Sequence, residues 1–177
     1  MAISTLLSSS LRMMTPLLFA ALGVLVTSKA GVVNMGMEGN MLFGAFISVY
    51  FTYVTGNPLV GQIAALMFGM IYGLVMSFFI IICKANHTVC GLGLNFVAQG
   101  ATTVLLGTVW NTSGISPSVT KFPSFTMGPL GLQSYNIIIV LLLCALVWFT
   151  LGRTNFGLRM RSVGENPAAA DSVGISV

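Results

Sequence analysis

Charge is what this sequence has least of. Only 6% of its 177 residues are charged, and three of them are acidic: Glu38, Glu165 and Asp171. Soluble domains carry about 25% charged residues. A chain this poor in charge has too little polar surface to enclose a core in water, which excludes a soluble enzyme or binding module. Cysteine is scarce too. Cys83, Cys90 and Cys144 are odd in number, sit in or beside apolar segments and lack metal-ligand spacing. That argues against a disulfide framework or a zinc site and for packing. The single histidine, His87, has no acidic or cysteine neighbours. No G-x-x-x-x-G-K-[ST] phosphate loop occurs, and no nucleophile–base pair is placed for hydrolysis. No cofactor, no metal and no catalytic residue are expected. The net charge of +4 is spread out and does not imply nucleic acid.

What the chain has is long, continuous apolar runs: Met13 to Ser28, Met41 to Thr55, Leu59 to Cys83, Thr88 to Trp110 and Tyr135 to Leu151. A transmembrane barrel would alternate instead. The expected fold class is an all-α, polytopic transmembrane helical bundle of about five hydrophobic segments. Met1 to Arg12 reads as a serine-rich lead-in at the interface. The first run is short for a span of about 20 residues. It either takes length from residues 6–11 or stops short of crossing. In the third run Gly61, Ala65, Gly69, Gly73 and Ser77 recur every fourth residue, a stripe that lets helices approach closely in lipid. Trp110 and Tyr135 read as interfacial anchors. Asn111 to Ser134, with Pro117, Pro123 and Pro129, reads as a polar loop.

Arg153, Arg159 and Arg161 follow the last run, so the positive-inside rule places the tail in the cytoplasm. Counting back leaves the N-terminus outside if the first run crosses. Alternatively, Gly31 to Gly39 is a broken or re-entrant element and the N-terminus is inside. Irregular backbone at membrane depth is tolerated only where protein or a cavity covers it.

Four polar residues are candidates for a translocation path. Glu38 and Asn34 lie at the mouth of the second run. An ionisable residue there either shapes a path or a broken helix, or sits at the interface and favours the positive end of the helix it starts. Asn95 and Gln99 lie four apart in the fourth run. They either bond across helices or read a polar solute. The tail, residues 152–177, carries its own helix grammar. Asn166 suits an N-cap and Pro167 the first helical position. Ala168, Ala169 and Ala170 are strong helix formers, and Gly174 suits a stop. The result is a short helix, read either as a docking element or as part of a basic loop that fixes topology.

This tail, with GVVNMGMEGNMLFGAF at Gly31 to Phe46, resembles the permease subunits of bacterial ABC importers for branched-chain amino acids, simple sugars and nucleosides. The run from Val163 through Glu165 to Ala170, ending in Gly174-Ile175, looks most like the nucleoside branch. The resemblance implies a single permease domain over 1–177, the N-terminal part of a longer family domain. It also implies a bacterial inner-membrane location and a second permease subunit. Two cytoplasmic ATPase subunits would bind the ATP and dock on Pro167–Val173, and an external binding protein would deliver substrate. Arg159, Arg161, Gly164, Glu165, Asn166, Pro167, Ala168 and Gly174 would form the ATPase-coupling segment. Within it, Arg159 and Arg161 would face acidic ATPase groups or membrane lipid. A ribose-type sugar permease remains the main alternative. An ATP-independent transporter is disfavoured because the third to fifth runs contain no Asp, Glu or Arg between their ends. A membrane scaffold without transport is the third reading.

Overall fold

The computed structural model describes residues 2–112, 114–120, 124–126 and 132–175. All five apolar runs are helical: α1 (Ala2–Lys29), α2 (Met37–Thr55), α3 (Pro58–Ser77), α4 (His87–Trp110) and α5 (Asn136–Arg153). Two short helices follow, α6 (Asn155–Glu165) and α7 (Pro167–Ser172). A π-helical turn, Phe78–Ile82, extends α3. Among the described residues, four helices are long and apolar enough to cross a membrane: Leu6–Lys29, Pro58–Ile82, His87–Trp110 and Asn136–Arg153. The 19-residue α2 is not among them; Glu38 and Asn40 fall in its first turn. Large apolar side chains such as Leu66, Leu74, Phe96 and Trp148 point outward. Helices solvated by lipid tails present such a surface, because lipid is as apolar as they are.

Two expectations need correcting. The N-terminal lead-in is not separate from the first run, since α1 is continuous through residues 2–29 and contains Pro16. The membrane-length part therefore begins at Leu6, as the reading in which the first run takes its length from residues 6–11 expects. The connection before α5 also contains paired backbone: β1 (Ser124–Thr126) runs antiparallel to β2 (Leu132–Ser134), with Phe125 opposite Gln133. Pro123 and Pro129 of that connection lie outside the described residues.

The chain divides into two compact units. One comprises Met1–Val33 with Pro123–Val177, and so holds α1 and α5 to α7; the other, Asn34–Phe122, holds α2 to α4. In the second unit, polar caps fix the helix ends. Gly56 takes φ +71 after α2. The Asn57 side chain accepts from the Leu59 N–H at 3.0 Å, with Pro58 in the first turn. Asn86 likewise accepts from the N–H groups of Thr88 and Val89 at the start of α4. Each such cap satisfies a donor that the helix itself cannot. The glycine stripe of α3 is used unevenly. A Cβ at Gly61 would run into the Thr52 hydroxyl and the Ser48 carbonyl of α2, whereas one at Gly73 would meet nothing within 4 Å. Within the stripe, it is therefore Gly61 that a close backbone approach requires.

Candidate functional site

The second unit is organised around the break that precedes α2. Residues 32–36 are not helical, so their backbone groups need partners from elsewhere. Two side-chain amides supply them. The Asn34 Oδ1 accepts from the Gly36 N–H at 3.0 Å. Asn95, in the first half of α4 and only 7% exposed, makes two bonds. Its Oδ1 accepts from the Gly39 N–H at 2.7 Å, and its Nδ2 donates to the Met35 carbonyl at 2.8 Å. One side chain thus clasps the backbone on both sides of the α2 N-terminus.

Small residues let the clasp close. A Cβ at Gly91 would lie 2.8 Å from the Gly36 nitrogen and 2.8 Å from the Met35 Cβ. A Cβ at Gly39 would lie 2.5 Å from the Tyr72 hydroxyl and 2.8 Å from the Asn95 Oδ1. The buried residues of α4, Gly91, Asn95, Ala98 and Thr102, form one stripe. Gln99 lies just off it and is exposed, as is Glu38. Asn34 and Asn95 therefore meet at the break, and Glu38 and Gln99 point away from it. The Tyr72 hydroxyl and the Asn40 Oδ1 are buried without a hydrogen-bond partner. A donor and an acceptor left so in a water-poor interior are costly, and a water or a polar solute would satisfy them.

The other unit carries the basic tail. α5 ends at Arg153, and Thr154 starts α6. The Thr154 hydroxyl donates to the Thr150 carbonyl at 2.5 Å and accepts from the Gly157 N–H at 3.2 Å. Gly157 is required at this corner, because a Cβ there would strike the Thr150 carbonyl and lie 2.6 Å from the Leu151 carbonyl oxygen. Arg161 closes the corner. Its Nη2 donates to the Leu151 carbonyl at 2.5 Å and its Nε to Gly157 at 3.3 Å. Arg159 is exposed and lines a groove of about 640 Å³ with Phe156, Val163, Val173 and Ile175.

Gly164 abuts the end of α1. A Cβ on it would meet the Lys29 carbonyl, with the Gly31 nitrogen 2.9 Å away. Glu165 is the exposed last residue of α6. Asn166 separates α6 from α7, and its side chain accepts from the Ala169 N–H at 3.2 Å. Pro167 opens α7 and exposed Ala168 follows it, while Ala170 is buried. Gly174 takes φ +79, and the Ile175 N–H returns to the Ala170 carbonyl at 3.1 Å. Helix α7 is thus built and ended by the expected residues. Helix α6 was not foreseen. Its signal was the N-cap Thr154 followed by apolar Phe156, Met160 and Val163 at helical spacing.

A family model described as "branched-chain amino acid transport system / permease component" matches residues 6–177. The chain belongs to this permease family. Among its curated relatives is the guanosine ABC transporter permease protein NupQ of Bacillus subtilis. It is 34% identical over 192 residues, covering 99% of this chain and 60% of that protein. The putative glucose ABC transporter permease protein TsgC13 of Haloferax volcanii is 35% identical, over 97% of this chain and 55% of that protein. The nucleoside ABC transporter permease protein NupC of Lactococcus lactis is 32% identical, over 92% and 56% respectively. No solved structure matches. This permease chain thus spans between half and two thirds of the length of these relatives. With its apolar helices, it is a multi-pass membrane protein.

Proposed function

We infer that the chain is a transmembrane permease component of an ATP-driven importer that moves nucleosides across the bacterial inner membrane. The observation that carries this reading is its similarity, along nearly its whole length, to permeases named for guanosine and nucleosides. In this reading α7 and the Asn166–Pro167 junction dock an ABC ATPase subunit. ATP binds and is hydrolysed there, and a second permease subunit completes the pathway. An external binding protein supplies the substrate. ATP shifts the permease between outward- and inward-facing states because it binds the two states differently. The corner at Thr154, Gly157 and Arg161 is the rigid joint through which a push on α7 would reach α5. Arg159, exposed and free of the corner, is the basic group best placed to meet an acidic ATPase surface. In the other unit, Asn34 and Asn95 hold the helix break.

A simple sugar is the second reading, favoured by the 35% identity to a putative glucose permease. Uptake of labelled guanosine separates the two, measured with the intact gene and its transporter partners in cells lacking other nucleoside uptake. Competition by excess unlabelled adenosine but not by ribose or glucose is the expected result. Failure of guanosine to enter cells in which the complex is assembled at the membrane would overturn the nucleoside reading and leave sugars. Unchanged stimulation of the ATPase by loaded binding protein in Arg159→Glu would remove that residue from the coupling.

A further inference from the structure

Helices α1 and α5 pack together in one unit with their basic C-terminal ends at the same side of it. Those ends frame a groove of about 320 Å³. Its apolar wall is Leu22, Leu25, Val147 and Trp148, and its polar end holds Lys29 and Arg161. None of the three acidic residues of the chain lines it. Arg161 is only partly committed. A guanidinium has five N–H donors, and the Leu151 and Gly157 carbonyls engage two of its nitrogens. Those bonds fix the group in place, so it cannot swing out to bulk solvent as a free lysine can.

A charge balance decides whether the two cations are already satisfied. Lys29 lies in the last turn of α1, and the Arg161 guanidinium, carried by α6, bonds the Leu151 carbonyl in the last turn of α5; each of those helix ends presents roughly half a negative charge. Two positive charges against about one negative leave about one positive charge over. Both helices are long and apolar enough to cross a membrane. The groove lies at the C-terminal ends of both helices, where the sequence turns from apolar to basic, and basic ends of membrane helices characteristically meet the lipid headgroups. The molecule available there with one negative charge and an apolar tail is an anionic phospholipid, and basic pockets between membrane helices suit such headgroups.

We propose that this groove binds one anionic phospholipid. Its phosphodiester sits between the Lys29 ammonium and the unengaged N–H groups of Arg161, and an acyl chain lies along Leu22, Leu25, Val147 and Trp148. A zwitterionic lipid brings its own cation to the same place and is held less well.

The test measures lipid retention by native mass spectrometry on the detergent-purified protein, titrated with phosphatidylglycerol or phosphatidylcholine. Thermal unfolding establishes that each variant is folded. One phosphatidylglycerol is expected to be retained in preference to phosphatidylcholine. Lys29→Gln should weaken its binding about fivefold, the worth of one basic group near an anionic headgroup. Leu25→Trp fills the groove while leaving both cations, and should also lose the lipid. Arg153→Gln removes a basic residue outside the groove and should change nothing. Equal retention of the two lipids would overturn the proposal. So would an Arg153→Gln loss equal to that of Lys29→Gln, which would indicate diffuse surface charge. Displacement of the lipid by millimolar inorganic phosphate would instead make this a soluble-anion site.

Discussion

Asn95 shows what one amide achieves inside an apolar helix. It supplies an acceptor to the Gly39 N–H and a donor to the Met35 carbonyl, two groups that the helix break leaves without helical partners. Asn95→Ala should therefore destabilise the protein by about 1–3 kcal/mol per orphaned group, read as a lower thermal midpoint in detergent. Asn95→Asp would set an unpaired buried carboxylate against the Met35 carbonyl and should be at least as damaging as Asn95→Ala. An Asn95→Ala variant as stable as the parent would show that the clasp is dispensable. The residue itself was legible as a polar intrusion in an apolar run. Its partners were not, because they are backbone groups 56 and 60 residues away, and no side-chain pattern marks them. Gln99 shows the opposite limit. Spacing by four put it beside Asn95, yet the contact stripe advances through Ala98 to Thr102. A shift of one residue on a helix is about 100°, enough to move a side chain from buried to exposed.

The elements divide by how local their causes are. Helix α7 was readable because its N-cap, first-turn proline and terminal glycine all lie within nine residues. Helix α6 is short and mixed in polarity, and Gly157 near its start reads as a breaker. Its glycine instead answers a steric demand of the α5 backbone, which sequence spacing does not display. Gly157→Ala should cost about 1–3 kcal/mol as an overpacked contact, since the atoms it would strike are backbone. Gly152→Ala, where a Cβ meets nothing within 4 Å, should be neutral or slightly stabilising. Comparing the thermal midpoints of the two variants checks the assignment, and equal midpoints would contradict it. The third run was likewise half legible. Its glycine stripe marked a close approach, but the π-helical turn that ends it, with the Cys83 N–H reaching the Phe78 carbonyl at 3.3 Å, has no signature in Phe-Phe-Ile-Ile-Ile.

For the molecule as a whole, the expectation of apolar spans with a basic tail holds, and family membership agrees with it. Sequence alone left the direction of the first span open. In its unit, Gly164 in α6 meets the backbone at the end of α1, so α1 and α5 run the same way. If the basic tail is inside, as the positive-inside rule expects, and α2 crosses with the four longer helices, this predicts that α1 begins outside. Replacing Cys83, Cys90 and Cys144 by serine and adding single cysteines tests this. A membrane-impermeant maleimide applied to intact cells should label Leu6→Cys and spare Asp171→Cys until the cells are opened. Protection of both positions, or the reverse pattern, would overturn the orientation.

The Asn95 clasp also sets a timetable. Synthesis proceeds at about 5–20 residues per second, so the 60 residues between Met35 and Asn95 take roughly 3–12 s to appear. For an interval of that length the backbone before α2 is outside the ribosome while the side chain that will hold it is not. The start of α2 therefore waits on α4, and water or the insertion machinery must shelter those amides until the later helix arrives.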